Sequence, residues 1–176
     1  MAAISNSRRA GAGIAFVVAG ALILLHYVLT LANVTVTGGW LLFLAYLALA
    51  VGFILLAVGS VANIVARIAL IVAGAGWAVL ALGFLVAFPP GLGTIAALAA
   101  GAGGVVGSIV LYTGKEITNR SAIVFIVTTI IAAVLLLAGV AGLGLGAFGT
   151  LLWIVFGVGL VLTGVLFYRV QGSRRR

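Results

Sequence analysis

Long uninterrupted runs of apolar residues, separated by short breaks, dominate the pattern along this chain. A transmembrane helix needs about 20 consecutive apolar residues to cross a hydrocarbon core of about 30 Å. The strands of a membrane β-barrel are about 10 residues long and alternate polar with apolar positions, a pattern that these runs lack. The chain is therefore predicted to be an all-α integral membrane protein, one domain over 1–176, with six transmembrane helices at 11–32, 40–62, 68–88, 92–113, 122–142 and 148–168.

All of the lysines and arginines lie outside the six runs, in breaks or terminal segments, and a six-span threading places them all on one side. The breaks after the first, third and fifth runs contain no charged residue. Because Lys and Arg near span ends stay on the cytoplasmic side, we expect a bacterial cytoplasmic (inner) membrane location with both termini in the cytoplasm. We expect lipid headgroups to meet the basic residues, which are Arg8, Arg9, Arg67, Lys115, Arg120, Arg169, Arg174, Arg175 and Arg176.

The fourth and sixth runs align with each other without gaps. Gly101 aligns with Gly157, Gly103 with Gly159, and Tyr112 with Tyr168. This alignment indicates three tandem helical hairpins, a parallel repeat unlike the inverted repeats common in transporters. The alternative is that a composition dominated by Gly, Ala, Val and Leu aligns by chance.

Composition narrows the classes of function. The chain is 66% hydrophobic and 6% charged, whereas soluble domains are about 45–50% apolar and about 25% charged, so a soluble globule is excluded. Cysteine is absent, and the one acidic residue, Glu116, is either solvated or paired with Arg120 at i+4. Most acid–base mechanisms need at least two such groups, so we expect no enzyme, cofactor or bound metal. The positive charges lie at span ends, so we expect no nucleic-acid partner.

Small residues recur every four positions in the fourth run. Close backbone approach drives helix association in lipid, and small residues permit it. We therefore expect this helix to lie centrally with neighbours all round, although a bias in composition toward Gly and Ala would produce similar ladders. The predicted packing residues are Ala96, Ala100, Gly104, Ser108, Gly103 and Gly107.

The ionisable side chain inside a predicted span is His26, in the outer half of the first run. Thr30 lies one turn away, and Asn33 lies near the same helical stripe. An ionisable group inside a membrane is a functional candidate by default, and histidine titrates near physiological pH. These three residues are the candidate polar site; the alternative is a neutral histidine bonded to a Thr, a Tyr or a carbonyl.

Two functions fit these patterns. The first is a non-enzymatic structural or accessory protein that packs through small residues into a homo-oligomer or against other membrane subunits. The second is a small channel or carrier for neutral or apolar solutes, with pH modulation through His26.

Overall fold

The computed structural model describes residues 6–34, 39–60, 63–89 and 91–169. Within these ranges the secondary structure is helical, without strands, and six helices of 19 to 26 residues are long and apolar enough to cross a membrane. This confirms the predicted all-helical architecture and the number of helices able to span. The helices are α1 (Asn6–Leu31), α2 (Trp40–Ser60), α3 (Ile64–Leu82), α4 (Leu92–Thr113), α5 (Asn119–Val140) and α6 (Gly146–Arg169).

The helices form a closed ring. Each helix packs against its neighbours in the chain, and α1 packs against α6. Neighbouring helices run antiparallel; for example, Gly13 of α1 lies against Gly164 of α6, whereas Gly20 lies against Gly157. The first residues of α1, α3 and α5 therefore share one end of the bundle with the last residues of α2, α4 and α6. We call this the charged end, because the basic residues of the described ranges lie there, and the opposite end the uncharged end.

Glycine brings helix backbones close together at the seams of the ring. A Cβ added to Gly20 would stand 2.5 Å from the carbonyl oxygen of Gly157, and one added to Gly103 would stand 2.6 Å from that of Ala69. Real Cβ atoms essentially never approach other atoms below 3.0 Å. The α1–α6 and α3–α4 seams therefore depend on residues without a side chain, which is the packing that helices in lipid favour.

Large aliphatic side chains form the outer surface. On every helix they follow one exposed stripe with a spacing of three or four residues, which is one face of an α-helix. A ring surrounded by hydrocarbon needs such an apolar exterior. On α5 the stripe consists of Ile123, Val127, Ile130, Val134, Leu137 and Val140.

The third helix departs most from its predicted span of 68–88. It begins at Ile64 because the Asn63 side chain caps it, accepting a hydrogen bond from the Val65 N–H at 2.9 Å. Arg67, which we predicted to lie in a break, is an exposed residue of the first turn. The helix ends at Leu82 with Gly83 as its C-cap, and turns follow before Pro89.

Candidate functional site

His26 is half-buried on α1, with its ring edge-on to Tyr27 at a centroid distance of 5.0 Å. Its Nδ1 is buried and has no hydrogen-bond partner among the described residues. The Thr30 hydroxyl donates to the backbone carbonyl of His26 at 2.9 Å. No described hydrogen bond joins this hydroxyl to the imidazole. Such a bond to the preceding turn is the usual arrangement for a threonine in a helix.

Asn33 terminates α1. Its φ is 55°, in the left-handed region, and its N–H donates to the carbonyl of Thr30 while the N–H of Val34 donates to that of Leu29. This pair of bonds is the Schellman motif, in which a left-handed residue closes a helix. His26, Thr30 and Asn33 therefore follow one another along one helix end, and the described contacts do not assemble their side chains into one polar site.

The six small residues of α4 predicted to pack are all buried. Gly103 and Gly107 face α3, where added Cβ atoms would meet Ala69 and Leu70, while Gly104 faces Thr129 of α5. The outer side of α4 is exposed. The expectation of a central helix is therefore wrong: α4 is one member of the ring, packed mainly between α3 and α5, because its small residues serve two neighbours and leave a third side for lipid.

Buried hydroxyl groups lie inside the ring near its middle. Ser108 Oγ of α4 and Thr129 Oγ1 of α5 are 3.0 Å apart, and the Thr128 hydroxyl donates to the Val124 carbonyl at 2.7 Å. A cavity of about 10 Å³ borders both threonines, which is on the order of the space that one water needs. Thr163 of α6 is fully buried, and no described group hydrogen-bonds its Oγ1.

Aromatic rings fill the interior at two levels, one on each side of the small cavity. Toward the uncharged end, Trp77 stacks on Phe156 at 6.1 Å, and Phe156 meets Trp153 edge-on at 5.6 Å. Edge-on and offset contacts at these distances are favourable for aromatic pairs. The ring interior is therefore closed at both levels. The level toward the charged end consists of Phe16, Phe53, Phe125 and Phe167.

A larger cleft opens between α5 and α6 at the uncharged end, with a volume of about 280 Å³. Trp153 and Tyr27 form part of its wall and stack on each other at 5.6 Å with an interplanar angle of 9°. Tyr46 also stacks on Trp153, with a centroid distance of 6.2 Å and an interplanar angle of 25°. Tyr27, Leu135, Ala138, Gly139, Leu143, Leu145, Gly146, Gly149, Thr150 and Trp153 line the cleft.

The basic residues at the charged end have two kinds of environment. Arg8 is exposed, and its guanidinium donates to the Val58 carbonyl at 3.2 Å. Arg9 is 8% exposed and lies 5.4 Å from the centre of the Phe167 ring, which is cation–π geometry. Its burial removes it from the surface that a headgroup would contact, so the predicted headgroup contact does not fit Arg9. Arg67, Lys115, Arg120 and Arg169 are exposed, while Arg174, Arg175 and Arg176 lie outside the described residues.

Among the described residues, the Glu116 side chain hydrogen-bonds to Asn63 and not to Arg120, the partner that the i+4 spacing suggested. Its Oε1 accepts a hydrogen bond from the backbone N–H of Asn63 at 3.1 Å, and within the described ranges no ion pair with Arg120 forms. The loop that precedes α3 is thereby joined to the loop that follows α4.

The sequence pattern did not indicate a binding site at the residues of the α5–α6 cleft. A signal for the α1–α6 contact was present: Gly13 and Gly20 are seven residues apart, as are Gly157 and Gly164, so two antiparallel helices can match them pairwise.

No protein-family model matches this chain, and neither does any curated protein or solved structure in the comparisons.

Proposed function

We propose that the chain is a multi-pass protein of a bacterial cytoplasmic membrane with both termini in the cytoplasm. The support is the gathering of basic residues at one end of the ring, combined with the tendency of such residues to stay in the cytoplasm. The three tandem hairpins also remain our proposal for the sequence organisation. In the ring the hairpins would pack directly against one another, since α2 of the first hairpin contacts α3 of the second.

We propose that its function is non-enzymatic and that it acts as a structural or accessory subunit. The observation that carries this proposal is the set of glycine seams, where backbones approach too closely for a Cβ on Gly13, Gly20, Gly76 or Gly103. Such seams make a rigid helical unit with an aliphatic exterior. These glycines are already used in contacts between helices of the same chain. A homo-oligomer or a complex with other membrane subunits would therefore form through the aliphatic exterior, together with surrounding lipid.

Native mass spectrometry after extraction in lipid nanodiscs tests this function. We expect an assembly of fixed stoichiometry, either of this chain with itself or with another membrane subunit. A particle that is strictly monomeric and carries no partner at every protein-to-lipid ratio would contradict the subunit role.

A second candidate function is a carrier for small neutral or apolar solutes. The α5–α6 cleft favours it, because the cleft opens at one end of the bundle and the closed aromatic levels separate it from the other end. An interior closed in this way fits a gated carrier better than an open channel. Swelling of proteoliposomes in a glycerol gradient measures the transport; a rate equal to that of empty vesicles would count against the carrier.

A further inference from the structure

The α5–α6 cleft comes close to the size of a small-ligand site, and it lies at one end of the bundle. Its volume of about 280 Å³ is just below the usual range of about 300–1,000 Å³ for ligand pockets. Leu135 lies five residues before the last residue of α5, so at about 1.5 Å per residue the cleft reaches about 8 Å into the span. Amphipathic groups gather at this depth, at the boundary between headgroups and acyl chains.

The chemistry of the lining selects a neutral ligand. Leu135, Leu143 and Leu145 supply apolar walls, and none of the described lining residues carries a charge. No lining side chain therefore offers an ion an opposite charge to offset its lost hydration. Thr150 supplies a hydroxyl group, and α6 begins at Gly146 on the cleft wall, where the first-turn N–H groups have no partner within the helix.

We propose that the cleft binds a small neutral amphiphile, with one hydroxyl or carbonyl group on an apolar ring or short chain, which enters from the membrane; this assignment rests on the second candidate function. The apolar part lies along the leucines and the edge of the Tyr27–Trp153 stack. The polar group lies beside Thr150.

Gly139 allows the cleft to be filled without disturbing the fold. It is helical and lines the cleft, and a Cβ added there meets nothing within 4 Å. Gly139→Leu therefore adds volume in the cleft. Gly93→Leu is the matched control, because Gly93 lies on α4 near the same end, also has open space around its Cβ, and is not part of the cleft lining.

Quenching of tryptophan fluorescence by 4-bromobenzyl alcohol in nanodiscs measures the binding. A Trp40→Phe background removes the tryptophan that is exposed to lipid and leaves Trp153 at the cleft and Trp77, which is buried. We expect saturable quenching in this background and with Gly93→Leu, and relief of the quenching by unbrominated benzyl alcohol. Gly139→Leu should weaken the saturable component about tenfold or more. Thr150→Val, which keeps the shape and removes the hydroxyl, should weaken it several-fold.

Two results would overturn the site: quenching that rises only linearly with probe concentration, or saturable quenching that Gly139→Leu leaves unchanged. Because the measurement is made at equilibrium, it separates binding from transport. Saturable binding without glycerol transport would leave the site standing and remove the carrier. Transport together with linear quenching would remove the site and keep the carrier.

Discussion

The backbone N–H of Asn63 donates a hydrogen bond to Oε1 of Glu116, 3.1 Å away. Asn63 also accepts a bond from the Val65 N–H and so caps α3. The acidic side chain thus holds the first turn of α3 beside the end of α4 at the charged end. Since α3 and α4 are joined through the opposite end, this bond and the glycine seam are two separate constraints on the same pair of helices.

Glu116→Gln should retain this contact, because the amide oxygen can accept the same hydrogen bond, whereas Glu116→Ala removes the acceptor. We expect Glu116→Ala to lower the free energy of unfolding by about 1 kcal/mol, a modest value because the bond is solvent-exposed. Hydrogen exchange at the Asn63 amide and equilibrium unfolding in mixed micelles measure the effect. Equal losses in the two variants would show that the charge matters and not the acceptor.

The α3–α4 seam predicts a large effect of a single methyl group. In Gly103→Ala the new Cβ would stand 2.6 Å from the Ala69 carbonyl oxygen and 2.8 Å from the Ala73 nitrogen. Both are backbone atoms, so the helices must move apart, at a cost of about 1–3 kcal/mol in the free energy of unfolding. Gly93→Ala on the same helix meets nothing within 4 Å and should be neutral or stabilising. If Gly103→Ala and Gly93→Ala have the same free energy of unfolding, α3 and α4 do not pack as closely at Gly103 as these distances require.

The number of helices could be predicted from the sequence because apolar length alone determines which segments can span. The start of α3 could not, because Asn63 and Arg67 were interpreted as a polar break. At a membrane boundary a capping asparagine and an exposed arginine are compatible with helix.

The position of α4 illustrates a second limit. Periodic small residues show that a helix has close neighbours, but they do not show how many sides are covered. The ring closes through α1 and α6, the two helices farthest apart in the chain, and this depends on pairing Gly13 with Gly164 and Gly20 with Gly157. The α5–α6 cleft was harder still to predict, because it is formed by the space that helix ends leave between them.

A lysine and a glycine that follow helices both have the left-handed conformation. Introducing glycine at the first and removing it from the second should have opposite effects on stability. Lys115 closes α4 with φ 53°, and Gly142 follows α5 with φ 67°. The left-handed conformation costs a residue with a Cβ about 1 kcal/mol or more. Lys115→Gly should therefore stabilise the protein by up to about 1 kcal/mol, and Gly142→Ala should destabilise it by a similar amount in thermal unfolding. Lys115→Ala removes the charge without relieving the backbone, so a gain in that variant would assign the effect to charge.

Thr129 and Thr163 are both buried, yet their valine variants should behave differently. The Thr129 hydroxyl lies 3.0 Å from Ser108 Oγ and joins α5 to α4, so Thr129→Val should lower the free energy of unfolding by about 0.6 kcal/mol, the average for a hydrogen bond between membrane helices. The Thr163 Oγ1 has no described partner. Thr163→Val keeps the volume and removes a buried polar atom, so stability should be unchanged or higher by up to about 1 kcal/mol.

Equilibrium unfolding of both valine variants, with the serine variants as controls that keep the hydroxyl and lose the methyl, separates hydrogen bonding from packing. Thr129→Ser should retain the hydrogen bond to Ser108. Any loss of stability in this variant therefore measures the contribution of the missing methyl group. If Thr163→Val proves clearly destabilising while Thr163→Ser is tolerated, the Thr163 hydroxyl has a hydrogen-bond partner in the membrane, such as a buried water. The interior of the ring would then be more hydrated than its aromatic packing indicates, because a buried hydroxyl that matters for stability must be satisfied.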